Sequence, residues 1–402
     1  MLHCAIEISC IPPNRVATFA ALPAAATSTH VTKLGGEHMI QRNSAAVRGL
    51  GTLVLAIAAT LAATSVQAAG LSVVIAPSLD KARQDIGSAL TFTMRNDAAE
   101  PVRILKWQTP FFGIEHDLFD VNVGGMDSDY NGRWIKRGAP GPDDWMTLQP
   151  GEAKSIEIDL SEAYDFSASG QYSMKYAVEL ATPGDAHDHG GRGNIRSKRM
   201  ESFPILRWVD GSGEPNNYEE AFPIGMKALN PTPAFESCST TRQNSIKTAL
   251  TSARSYGINS DNYFASKTYS TVTTRYKTWF GTGTSSRFSS VKGNYDRIEY
   301  ALSNTKLTFN CGCTSSAYAY VYPTQPYRVY LCNAFWSAPN TGTDSKAGTI
   351  IHELSHFDVL GNTDDIVYGQ SGAKSLATSN PSQAIKNADS HEYFSENTPA
   401  QN

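Results

Sequence analysis

The 402-residue sequence predicts an α+β fold, with an antiparallel β-sandwich-like front half and a rear half of mixed helices and strands. Three observations carry the prediction. Short β-rich runs with turn punctuation fill the front half. A stretch rich in Pro and Gly, 210–233, follows them. Helical spacing of apolar residues appears only after Cys238. With 41% hydrophobic and 18% charged residues, neither a disordered chain nor a coiled coil is expected. A net charge of -4 offers no global attraction to nucleic acid, so no nucleic-acid partner is expected.

The front elements come first. Leu71–Ile75, Ala89–Met94, Ser155–Leu160 and Tyr172–Leu180 read as strands, with Pro150-Gly151-Glu152 as a turn among them. The stretch from Pro183 to Asn194 reads as an exposed loop, and its His187, Asp188 and His189 as loop residues rather than a metal site. In the rear half, Ser245–Tyr256 has helical spacing, with Ile246, Leu250 and Ala253 near one face. Phe288–Leu302, Ala347–Val359 and Gly369–Asn380 read as further helices. Tyr318–Leu331 reads as two strands around a Pro323/Pro326 turn, and there is no internal repeat.

The N-terminal region reads as an export signal. Arg42 and Arg48 precede the apolar run Gly49–Ala63, and Val66-Gln67-Ala68 supplies small residues for cleavage. The run is Ala- and Gly-rich and weak for a permanent span, so a retained anchor is the lesser reading and no stable membrane association is expected. Met39 stands where such a signal begins, which leaves 1–38 as an upstream extension. Cys4 and Cys10 fall in that extension. Cys238, Cys311, Cys313 and Cys332 remain, an even number in a chain bound for an oxidising compartment, and imply two disulfides.

One motif carries chemistry. His352-Glu353-Leu354-Ser355-His356 lies in the third predicted helix. Positions i and i+4 are roughly 40° apart around a helix, so both imidazoles can reach one zinc ion. Glu353, next to the first His, can then serve as general base on a water. Gly361 is expected to end the helix as a left-handed cap. A catalytic zinc needs a third protein ligand. A metzincin layout would place Gly and His where Val359 and Asn362 stand, and a thermolysin-like layout would need a Glu near Leu376–Asn380, which has none. An Asp of Thr363-Asp364-Asp365-Ile366-Val367-Tyr368-Gly369 is what remains.

That layout, HExxH followed by T-x-D-x-x-Y-G, resembles the aspzincins, the deuterolysin (M35) family of zinc metalloendopeptidases. The resemblance runs from about Cys238 to Asn402. It includes Tyr276-Lys277-Thr278-Trp279-Phe280-Gly281, Gly342-Thr343-Asp344-Ser345 and the tail from Asn387 to Phe394. Within the family the chain looks closest to the peptidyl-Lys metalloendopeptidases. Asn362 is a departure, because relatives tend to keep Gly beside Thr, and its effect is expected to stay in the loop backbone.

The resemblance implies a zincin-like domain with one Zn2+ held by His352, His356 and Asp365. It implies Glu353 as general base and Tyr368 as oxyanion donor, with Asp364 solvated or behind the ligands. Asp389 and Glu392 have the spacing of a capping box at a helix start. The resemblance also makes them the pocket for a substrate lysine just after the scissile bond. His391 between them is expected to be structural. The resemblance further implies the pairings Cys238–Cys311 and Cys313–Cys332.

The domain reading is then a 1–38 extension, a 39–68 signal peptide, a 69–209 β-rich propeptide domain, a 210–233 linker with the maturation site, and a 234–402 catalytic domain. Lys227 makes self-cleavage in the linker conceivable. The expected protein is a secreted, monomeric proenzyme that acts on Lys-containing peptides and is held by its own propeptide. The alternatives are a broader deuterolysin-like specificity and a non-enzymatic secreted binding protein.

Overall fold

The computed structural model describes residues 70–83, 86–182, 196–211 and 230–402. The upstream extension, the signal segment, the His/Asp loop and most of the linker, Lys227 included, lie outside the described residues.

The N-terminal region is β-rich. Its strands are β1 (Leu71–Pro77), β2 (Ala89–Asn96), β3 (Val102–Leu105), β4 (Phe119–Val123), β5 (Met126–Asp127) and β6 (Trp134–Lys136). They continue with β7 (Trp145–Leu148), β8 (Ala153–Asp159), β9 (Gly170–Thr182), β10 (Arg196–Glu201) and β11 (Ile205–Val209). Alternation drives them: Leu71, Val73 and Ile75 are buried while Val74 faces out. One sheet has the order β1-β2-β8, and a second runs β10-β9-β4-β5 with β11 also on β9. β3 pairs with β7. All these pairings are antiparallel. Phe92 and Phe119 pack on Tyr176, with ring centroids 5.1 and 5.7 Å away.

The rear half begins with β12 (Ala234–Glu236), α1 (Thr240–Ala265), α2 (Thr274–Phe280) and α3 (Ser285–Asn304). Then come β13 (Thr308–Asn310), β14 (Ala319–Val321), β15 (Arg328–Leu331) and α4 (Asn333–Ser337). It ends with α5 (Lys346–His356), α6 (Gly369–Ser379), α7 (Pro381–Ala384) and α8 (Ala388–Glu396). Its sheet has the order β12-β13-β15-β14-β6, so the strand at the β14 edge comes from the front half. Cys238–Cys311 ties the entry of α1 to the end of β13. Cys313–Cys332 ties the next loop to the end of β15. Among the described residues, no helix is long and apolar enough to cross a membrane.

Two local expectations are corrected. The HExxH helix ends at His356 with Phe357 as its C-cap, not at Gly361. The chain turns back there, and Thr363 N donates to Ser355 O at 3.1 Å. Gly361 lies in that close approach, where an added Cβ would meet Ser355 O at 2.3 Å. The left-handed residue is Asn362, at φ 46°, a conformation Asn tolerates better than most side chains. The second correction concerns Asp389 and Glu392, which do not form a capping box. Asn387 precedes α8, and Asp389 Oδ2 accepts from Gly369 N at 2.6 Å.

Candidate active site

The site is built on α5. Ser345 caps it, its hydroxyl accepting from Gly348 N at 2.9 Å. Every residue of the helix is buried. Ala347, Ile350, Ile351 and Leu354 supply the core face. His352, Glu353 and His356 are equally buried although polar, and such groups need partners or a function.

The loop after α5 brings Asp365 to the two histidines. Asp365 Oδ1 lies 3.1 Å from His352 Nε2 and 3.5 Å from His356 Nε2. None of these three atoms makes a hydrogen bond, although all are buried. His356 Nδ1 lies 2.7 Å from Thr363 O, and His352 Nδ1 lies 3.0 Å from Asp389 Oδ1, so each ring is oriented from behind. Two imidazole nitrogens and a carboxylate oxygen, converging without hydrogen bonds, are the donor set a zinc ion takes. Asp364 is half-buried and stands outside this cluster.

Although burial opposes it, the two histidines hold the Asp365 carboxyl well below the usual carboxylate range. Burial pushes Glu353 well above that range, and both its oxygens lack hydrogen-bond partners. Burial also raises the Tyr368 hydroxyl, which donates to Ile135 O at 3.0 Å.

Asp389 and Glu392 come together on α8 behind His352, and both are buried. The ammonium of Lys136, on β6, lies between them. Its Nζ is 2.5 Å from Glu392 Oε2, 3.7 Å from Asp389 Oδ1 and 3.8 Å from Asp344 Oδ1. Burial favours neutral Lys136, but these carboxylates outweigh it and raise the pKa well above its usual value. His352, Asp389 and Glu392 form a second close trio, and the Lys136 ammonium sits against both of its carboxylates. His391 is buried with its ring nitrogens near Asn294 Nδ2 and Asn387 O, each at 3.2 Å, and burial lowers its pKa to about 4.

Sequence reading missed three participants. Asp344 stood in a quoted run without a role. Lys136 and Trp134 stood in a three-residue strand too short for any periodicity. The Trp134 ring stacks on His356 at 5.5 Å and 8°.

Comparison with known proteins bears on this geometry. A family model described as lysine-specific metallo-endopeptidase, aspzincin M35, matches residues 263–396. An extracellular protease of Aeromonas hydrophila is 41% identical over 78% of this chain and 89% of its own length. The chain belongs to the aspzincin family of metalloendopeptidases. A peptidyl-Lys metalloendopeptidase of Armillaria mellea is 36% identical over 79% of this chain and 89% of its own length. Another from Pleurotus ostreatus is 53% identical over 41% of this chain and 98% of its own. Among solved structures, a zinc peptidase from Grifola frondosa is 48% identical, with TM-score 0.40, covering 41% of this chain and all of its own. The family match and the Aeromonas relative bear out the aspzincin resemblance at family level, and the Cys238–Cys311 and Cys313–Cys332 bonds it implied are formed.

Proposed function

We propose that this aspzincin is a secreted proenzyme that hydrolyses peptide bonds on the N-terminal side of lysine. The observation that carries the reading is the convergence of unpartnered, buried His352 Nε2, His356 Nε2 and Asp365 Oδ1 beside unpartnered Glu353. His352, His356 and Asp365 would hold the zinc. When bound, that ion would polarise the substrate carbonyl and acidify the attacking water.

The remaining chemistry belongs to side chains of the chain. Glu353 takes a proton from the attacking water and returns it to the leaving nitrogen. Tyr368 donates a hydrogen bond to the oxygen that gains charge at the substrate carbonyl. Asp389 and Glu392, with Asp344 at the rim, hold the ammonium of the residue after the scissile bond. A compact ammonium among buried carboxylates is charge-assisted recognition, and lysine suits it better than the wider planar arginine.

The β-rich region over 69–209 is read as a sandwich-like propeptide domain and 234–402 as the catalytic domain, joined by the 210–233 linker. Two disulfides and the name of the Aeromonas relative support an exported protein. Elemental analysis of the purified chain tests the metal reading. It is expected to find one zinc per chain, lost in His352→Ala and Asp365→Ala together with peptide hydrolysis. Full hydrolysis by a chain stripped of zinc contradicts it.

A further inference from the structure

A buried lysine in a pocket read as the substrate-lysine pocket calls for an account. Burying an ion pair carries a heavy desolvation cost for each charge, and an apolar side chain often fills such space at no loss of stability. Lys136 nevertheless reaches the pocket with none of its side chain exposed. It does so on a strand laid against the sheet edge. β6 runs antiparallel to β14, with Trp134 opposite Val321, Ile135 opposite Tyr320 and Lys136 opposite Ala319. Tyr318 N donates to Lys136 O at 3.0 Å. Adding an extended segment to an exposed edge is a common way for a protein to bind a peptide.

The register has a chemical consequence. Alternation along the strand sends Trp134 and Lys136 to one side. Trp134 stacks on His356 and Lys136 ends between Asp389 and Glu392. The carbonyl just before Lys136, that of Ile135, is the one that accepts the Tyr368 hydroxyl at 3.0 Å. An Xaa–Lys substrate would present these same features: lysine in the acidic pocket and the preceding carbonyl at the oxyanion donor. The strand is also held at both flanks, since Arg133 and Arg137 pair with the two oxygens of Glu115 at 3.0 and 2.7 Å.

We propose that the chain holds its own Ile135–Lys136 peptide bond in the active site as a substrate, and that this is the first bond it hydrolyses. The proposal rests on the lysine-pocket reading above and adds a processing site outside the linker. The water oxygen bonds to the Ile135 carbonyl carbon and the Ile135 C–Lys136 N bond breaks. Glu353 carries one of the water's protons to the Lys136 nitrogen, and the second passes from the new carboxyl to the amine. The products are an Ile135 carboxylate and a new amino terminus at Lys136. The cut severs β6 between the residue at His356 and the residue in the acidic pocket, which frees the β14 edge for other substrates.

The test uses the full chain purified in chelator and then given zinc, followed by intact mass and N-terminal sequencing. A protein rich in lysine is digested in parallel. The expected result is a new N-terminus at Lys136 whose half-time is unchanged over about tenfold dilution, and which is absent in Glu353→Gln and Lys136→Met. Amine labelling of the metal-free Glu353→Gln chain gives a readout independent of activity. There, Lys136 is expected to stay unlabelled while exposed Lys154 reacts. Cleavage of the added protein before lysine, with Ile135–Lys136 intact throughout, overturns the proposal and leaves the lysine-protease reading standing. Labelling of Lys136 as fast as Lys154 also overturns it. Failure to cut the added protein before lysine removes the pocket reading and this proposal with it. The wild-type fragment map decides even if Lys136→Met does not accumulate.

Discussion

Glu392→Gln removes the nearest negative charge from the pocket that holds Lys136 while keeping its shape. Glu392 Oε2 lies 2.5 Å from the ammonium it holds, and neither side chain is exposed. Breaking a buried pair by neutralising one partner costs about 3–5 kcal/mol. At about 1.4 kcal/mol per decade, that is a loss of roughly 150-fold to 5,000-fold. Asp389 at 3.7 Å and the partly exposed Asp344 at 3.8 Å keep part of the attraction. The lower end, about 150-fold, is therefore the expected loss. The assay, on wild-type and variant chains first shown by intact mass to be equally processed, compares kcat/KM on two peptides that differ only in lysine or norleucine after the scissile bond. The lysine peptide should lose about 150-fold and the norleucine peptide little, so discrimination collapses. Equal losses on both would refute the reasoning. They would mean that Glu392 acts through His352 Nδ1, 3.3 Å away, and not on the substrate ammonium.

Other substitutions separate chemistry from packing. Tyr368→Phe should lower kcat by about 10²–10³ with KM nearly unchanged, as loss of one oxyanion donor does elsewhere, and steady-state kinetics checks it. Gly348→Ala should lower the melting temperature. The new Cβ would meet Glu396 Oε1 at 2.2 Å and Glu392 Cγ at 3.0 Å. That overpacking costs about 1–3 kcal/mol against the ~1 kcal/mol helix preference for Ala. Replacing Cys238 and Cys311 together by Ser should destabilise by about 4 kcal/mol and Cys313 with Cys332 by about 3 kcal/mol, because the first bond closes the longer loop. Denaturant unfolding of each pair variant gives the comparison.

The parts of the site legible in the sequence were local or carried by a family pattern. His352, Glu353 and His356 share one helix, so their spacing alone brings them together. Asp365, Asp389 and Glu392 were legible only through the resemblance, because their meeting depends on the turn after α5 and on α8 packing behind it. The Gly361 reading went astray because Gly is needed there for backbone approach to Ser355, while Asn362 took the left-handed conformation. The front strands were legible from alternation at Leu71–Ile75. Strand β6 was not, because three residues have no period and their place is set by the β14 edge far along the chain. Asp344 has no sequence signal of its own, and its role follows from Lys136.

The most direct measurement is a map of new N-termini after a defined, unfolded protein is digested by the zinc-replete enzyme. The account predicts lysine at nearly every new N-terminus, with digestion stopped by chelation and restored by zinc. New termini scattered over other residues, or digestion that continues without metal, would contradict it.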